Sequence, residues 1–134
     1  MSIHIVRLGT PRLPNEGTRI GTVRRPPRGV PKAQFSAQNW YDVWFPTLAP
    51  SVEVMKMVRA ADTPALSAAF VKKYKSEMAA PEAAHAIRLL ARLSKTGNFS
   101  VGCYCVDEAH CHRSVLKALL LENGADVALP GSPQ

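Results

Sequence analysis

The chain has 134 residues, 17 Lys and Arg against 10 Asp and Glu, and three cysteines. One domain with one core fits that length, and 46% hydrophobic with 20% charged residues excludes wholesale disorder. No apolar run reaches the ~18 residues of a membrane span, and Met1-Ser2-Ile3-His4 does not open a signal peptide. The expectation is a cytoplasmic protein with no membrane partner.

The net charge of +7 is uneven. Residues 1–32 carry Arg7, Arg12, Arg19, Arg24, Arg25, Arg28 and Lys32 against Glu16 alone, a local +6. A concentrated basic segment points to an anionic partner.

In chain order, residues 3–8 alternate and then run apolar, which predicts a first strand closed by Gly9 and Pro11. Residues 19–24 predict a second strand, weakened by Gly21 and stopped at Pro26-Pro27. Trp40, Trp44 and Leu48 lie four apart, which predicts a short helix within 38–49 with Trp44 in the core. Ser51 is an N-cap for a helix over 52–60 that turns Val52, Met55 and Val58 inward. Thr63-Pro64 opens another helix, with Leu66, Phe70, Tyr74 and Met78 on one face. Pro81 opens a third, burying Ala83, Ala86, Ile87, Leu90 and Leu93 and leaving His85, Arg88, Arg92 and Lys95 as a solvated stripe. Residues 98–105 predict a third strand, 109–122 a helix capped by Gly124, and 126–129 a final short strand before a frayed tail.

Strands separated by helices predict a single α/β domain over 1–134: a small open, mostly parallel sheet with flanking helices, its ordered core about 3–124.

The densest chemistry runs from Cys103 to Ser114. It holds all three cysteines, with Asp107, His110, Cys111, His112 and Arg113. A strand, a turn and a helix start are expected here. Parallel sheets bind ligands beyond the carboxyl ends of their strands, where helix N-termini favour anions. Arg113 can grip phosphate or carboxylate bidentately, His112 can move a proton near neutral pH, and Cys111 or Cys103 can serve as nucleophile. Asp107 and Ser114 are further ligand-binding candidates. A disulfide between Cys103 and Cys105 is disfavoured, because strand residues two apart lie about 6.7 Å apart and are held extended. Pairing of either with Cys111 is geometrically open but does not persist in a reducing cytoplasm. Zinc is a further alternative, although C-x-C-x5-C lacks the paired C-x2-C spacing of structural sites. Buried structural cysteines are the plain alternative, favoured for Cys105.

Cys103 and Cys111-His112-Arg113, with Asp107 between, resemble the C-x7-C-H-R signature of the family catalogued as domain of unknown function 488. Arg19-Ile-Gly-Thr-Val-Arg24-Arg-Pro-Pro27-Arg28-Gly29-Val-Pro-Lys32 resembles the basic segment of its YeaO-like branch. So do Asn39-Trp40-Tyr-Asp-Val-Trp44 with Leu48-Ala-Pro50-Ser51, and Phe70, Tyr74 and Glu77 in the helix that follows. The likeness spans about 3–124 and implies an α/β fold with a shared site, and no particular reaction. Where other C-H-R members place Glu two after the first cysteine, this chain has Cys105.

If the second and third strands are parallel, their ends bring Arg24 and Arg28 toward Cys103 and Arg113. Arg25 and Lys32 read as solvated, and Asp42 and Glu53 as alternative ion partners for the arginines. The expected function is an enzyme or ligand-binding domain with a cationic Cys/His/Arg pocket for a small phosphorylated or nucleotide-like anion, with no cofactor or resident metal. The alternatives are a nucleic-acid-binding module using the arginine-rich face and a zinc-binding structural or regulatory protein.

Overall fold

Among the described residues four short strands form one all-parallel sheet: β1 (Ile3–Arg7), β2 (Thr18–Gly21), β3 (Val43–Trp44) and β4 (Phe99–Cys103). Their order across the sheet is β1-β4-β2-β3. The computed structural model describes residues 2–60, 64–104 and 112–128, apart from the side chains of 58–60, 64 and 65. β4 lies between β1 and β2, and all five of its residues are buried, as a strand covered on both faces requires. A single parallel bridge from Ile3 to Val127 is what forms of the expected final strand, and Leu129 lies outside the described residues.

The helices are α1 (Val52–Ala60), α2 (Pro64–Met78), α3 (Pro81–Leu93) and α4 (His112–Glu122). The Val54 N–H donates to Ser51 Oγ at 3.2 Å, so Ser51 caps α1 as its position predicts. Thr63, the expected cap of α2, lies outside the described residues. Gly124 closes α4 at φ +84°, a left-handed conformation suited to glycine. Val54, Phe70, Tyr74, Ile87, Leu90, Leu116 and Leu120 share one core with Ile3, Phe99 and Val101. These helices therefore cover the sheet face that carries those strand residues. No helix among the described residues is long and apolar enough to cross a membrane.

Several details depart from the sequence expectation. Residues 38–49 do not form a helix. Asn39 takes φ +64°, Val43–Trp44 pairs with β2, and a single 3-10 turn spans Pro46–Leu48. Backbone bonds from Asp42 N to Arg19 O (2.8 Å) and Phe45 N to Gly21 O (2.9 Å) draw this segment onto the sheet edge. Pro46, which has no N–H, suits the first position of a turn but not a helix interior. Trp44 is consequently 44% exposed instead of core, with its Nε1–H donating to Val23 O at 2.8 Å. In α1 it is Val54 that is buried, while Val52 is exposed. In α2 and α3 the expected faces hold except at their ends, where Leu66 and Leu93 are exposed.

The opposite face of the sheet carries a polar row, His4, Ser100 and Arg19, aligned by the strand register. Arg19 is fully buried. Glu16 receives its Nε–H at 2.7 Å and an Nη2–H at 2.8 Å, and also the Ser100 hydroxyl at 2.7 Å and the Leu13 N–H at 3.1 Å. The remaining guanidinium donors reach the carbonyls of Thr10, Pro11 and Asn39. One buried ion pair thus ties the loop after β1, and the segment before β3, to the sheet. The next row is Val6, Gly102 and Gly21. A Cβ on Gly21 would come within 2.4 Å of the Tyr41 ring, so glycine here lets Tyr41 pack directly on the strand backbone.

Candidate functional site

Because β1, β2 and β4 run parallel, their carboxyl ends finish at one edge, where side chains from three chain segments converge. A cleft of about 1070 Å³ opens there. Arg7, Leu8, Gly9 and Thr10 approach it from β1, Val23, Arg24, Arg25, Pro26, Pro27 and Arg28 from β2, and Cys103 and Tyr104 from β4. His112 at the start of α4, Trp40, and Val52, Met55 and Lys56 of α1 complete the described lining. Arg24 and Arg28 therefore share a cleft with Cys103 and His112.

The arginines are held in different ways. Arg24 is half-buried, its Nε–H donating to Pro50 O at 3.2 Å and its Nη2–H to Ala49 O at 3.0 Å, which fixes the guanidinium beside the entry to α1. Arg25 and Arg28 are exposed on the turn that follows. Arg7 donates to Tyr104 O at 3.3 Å. Asp42, considered above as a partner for the loop arginines, is instead engaged by both guanidinium Nη groups of Arg12 at 2.9 Å.

His112 is 2% exposed. Its Nε2 lies 2.8 Å from Thr22 O, and since a carbonyl only accepts, Nε2 carries a proton. In the neutral ring Nδ1 is then the basic nitrogen. The Tyr74 ring stands edge-on to the imidazole at 5.5 Å and 61°. Thr22 is itself tied to β4, its N–H and its hydroxyl both donating to Gly102 O at 3.0 Å. The register of β2 on β4 thereby sets the orientation of the imidazole.

Cys103 ends β4 and is 1% exposed, packed with Leu8, Val23 and Tyr41 in a small second core beneath the cleft. Tyr104 donates its hydroxyl to Arg25 O at 2.8 Å. Burial, aided by nearby Tyr41, raises its phenol far above the ordinary value and keeps it a donor. Arg113 is buried and Ser114 half-buried in the first turn of α4, and neither lines the cleft. Asp107, Cys105 and Cys111 lie outside the described residues. Among the described residues no three His, Cys, Asp or Glu side chains gather as a metal site would require.

A family model described as the active DUF488-N3 subclade matches residues 3–124. The chain belongs to this family. No curated protein and no solved structure matches it. For this DUF488 member, the basic segment and His112 of the C-H-R segment are brought to one sheet edge.

No sequence motif marks Arg7, Lys56, Trp40 or Tyr104 as a cleft residue, although the ring of Trp40 is one that can stack on a base. Arg7 and Tyr104, like Arg24, sit at or just past the end of a parallel strand, which is the signal that places them at this edge. Lys56 and Trp40 reach the cleft only through packing. The buried Arg19 and Glu16 pair carried a weaker signal, the period-2 position of Arg19 beside apolar Ile20.

Proposed function

We propose that this DUF488 protein binds a small phosphorylated anion in the cleft at the carboxyl edge of its sheet and holds a thiol and an imidazole beside it for chemistry. The observation that carries this reading is that Arg7, Arg24, Arg25, Arg28 and Lys56 gather round one concavity with Cys103 and His112. No carboxylate stands among its described lining residues. Such a site concentrates positive potential between low-dielectric walls. Bidentate guanidinium donors match phosphate oxygens.

Within this reading Arg24 and Arg28 bind the anion, and His112 exchanges a proton through Nδ1. Cys111, adjacent to His112 in the chain, takes the nucleophile role, with Cys103 at the end of β4 as the second thiol. Arg113 and Ser114 in the first turn of α4, and Asp107 in the segment before it, are the further candidates for ligand contact. The subclade's designation as active accords with a site that does more than bind.

Titration calorimetry with pyrophosphate tests the binding step. The wild-type protein is expected to bind it, and Arg24→Ala with Arg28→Ala to weaken binding by about 100-fold, as the loss of two charge-assisted contacts implies. Undetectable binding to the wild type, or affinity unchanged in the double variant, overturns the proposal. Tighter binding to a single-stranded oligonucleotide, falling steeply with salt, would assign the same cations to nucleic acid.

A further inference from the structure

The cleft carries more than cations. Trp40 and Tyr104 both line it, half-buried, with ring centroids 6.0 Å apart and planes at 72°. Each ring is held in place before any ligand arrives. The Tyr104 hydroxyl is bound to Arg25 O, and Trp40 packs against the backbone at Gly9, where a Cβ would meet the indole at 2.9 Å. Gly9 has φ +90°, so a side chain there would be strained as well as crowded. A pre-placed aromatic surface beside arginines costs little ordering on binding and suits a flat ring joined to an anion.

The charge narrows the class further. Five cations stand among the described lining residues. Even if Asp107 and Glu108, the acids that follow Tyr104 in sequence, are set against them, the balance is +3. A single phosphate monoester carries about −2 at most. A second phosphate accounts for the excess.

We infer that the ligand is a nucleoside diphosphate, its base packed against Trp40 and Tyr104 and its phosphates among Arg24, Arg25, Arg28 and Lys56. This inference rests on the anion-binding reading above and adds the base and the second phosphate to it. A mononucleotide fits better than a polymer because the cations surround one concavity, whereas the exposed basic side chains of α2 (Lys72, Lys73 and Lys75) and of α3 (His85, Arg88 and Arg92) stand on separate elements and do not line it.

The test compares the four ribonucleoside diphosphates with pyrophosphate by calorimetry. At least one is expected to bind tenfold or more tightly than pyrophosphate, as the loss or gain of one base stack implies. Trp40→Leu should reduce that ligand to the affinity of pyrophosphate while leaving pyrophosphate binding within about twofold. Trp40 and Trp44 are the two tryptophans. In Trp44→Phe, indole fluorescence therefore reports Trp40 alone, and the preferred nucleotide should change it while pyrophosphate does not. That second measurement stands even if Trp40→Leu fails to fold. Pyrophosphate bound as tightly as every nucleotide, or an unchanged Trp40 signal, overturns the nucleotide inference and leaves the anion site standing. Failure of pyrophosphate and nucleotides alike removes both. An oligonucleotide that displaces the nucleotides with steep salt dependence assigns the aromatic wall to a polymer instead.

Discussion

Replacing Glu16 by Gln changes one atom in a buried network and no volume. Its two carboxylate oxygens accept four bonds: Oε2 from Arg19 Nε and Ser100 Oγ, and Oε1 from Arg19 Nη2 and Leu13 N. In either orientation glutamine directs an NH2 group at an Arg19 N–H, so one guanidinium bond is lost and replaced by donor facing donor. The other becomes a bond to a neutral amide, while the buried guanidinium loses its counter-charge. A hydrogen bond to a charged group contributes about 1.5–3 kcal/mol, and breaking a buried pair costs about 3–5 kcal/mol. Because glutamine retains one acceptor, the expected loss is about 3 kcal/mol. For a chain of this length that lowers the melting temperature by roughly 10 °C. Urea unfolding of wild type, Glu16→Gln, Arg19→Met and the double variant measures it. The double variant should be less destabilised than the sum of the single variants by about 2 kcal/mol. A loss below about 1 kcal/mol for Glu16→Gln, or additive single effects, would refute the reasoning and mean that the buried pair contributes no more than a surface one.

Gly21→Ala should destabilise by about 1–3 kcal/mol through overpacking against the Tyr41 ring, measured by the same unfolding assay; a neutral result would show that Tyr41 can move aside. Acid should destabilise the fold in stages. Asp42 is partly exposed; burial opposes its ionisation, but hydrogen bonds from Arg12, Arg19 N and Ser36, with the Arg12 charge, outweigh that and bring its pKa from 3.8 to about 2. For Glu16 burial likewise pushes upward, and the bonds from Arg19, Ser100 and Leu13 N with the Arg19 charge overcome it, so its pKa is lowered from 4.5. His4 is lowered from 6.5 by burial, partly offset by the Glu16 charge. In all three cases the unfolded chain binds protons more readily. The His4 contribution is therefore complete above pH 6.5 and declines below it. The carboxylate contributions are complete above about pH 4.5 and decline on further acidification through the folded values. Melting temperatures from pH 7.5 to 2.5 should fall below pH 6.5 and more steeply below pH 4.5, and Asp42→Asn should flatten the limb between pH 3.8 and 2. After allowance for solvent screening, that flattening amounts to about 1 kcal/mol. A curve that is level down to pH 3 would refute the assignment of these groups.

The sequence by itself determined the fold class and the positions of most elements, because these are encoded locally. Ser51 as a cap, Pro64 and Pro81 at helix starts, Gly124 at a helix end, and the spacing of Phe70, Tyr74 and Met78 act over one or two turns. It also located the two segments that meet at the cleft, since strand ends in a parallel sheet share an edge whatever their order. The tertiary structure decided what depends on partners distant in the chain. Residues 38–49 have helical spacing, yet backbone pairing with β2 turned Val43 and Trp44 into an exposed edge strand. Arg19 counts in the sequence toward a basic segment awaiting an anion, but its anion is Glu16, and the pair is internal. The +6 of residues 1–32 therefore divides between scaffold and site. Arg19 and Arg12 are consumed by Glu16 and Asp42, while Arg7, Arg24, Arg25 and Arg28 face the cleft with Lys56 from elsewhere in the chain. Composition records how many charges a chain carries, and only the packing of distant segments determines which of them are neutralised inside it.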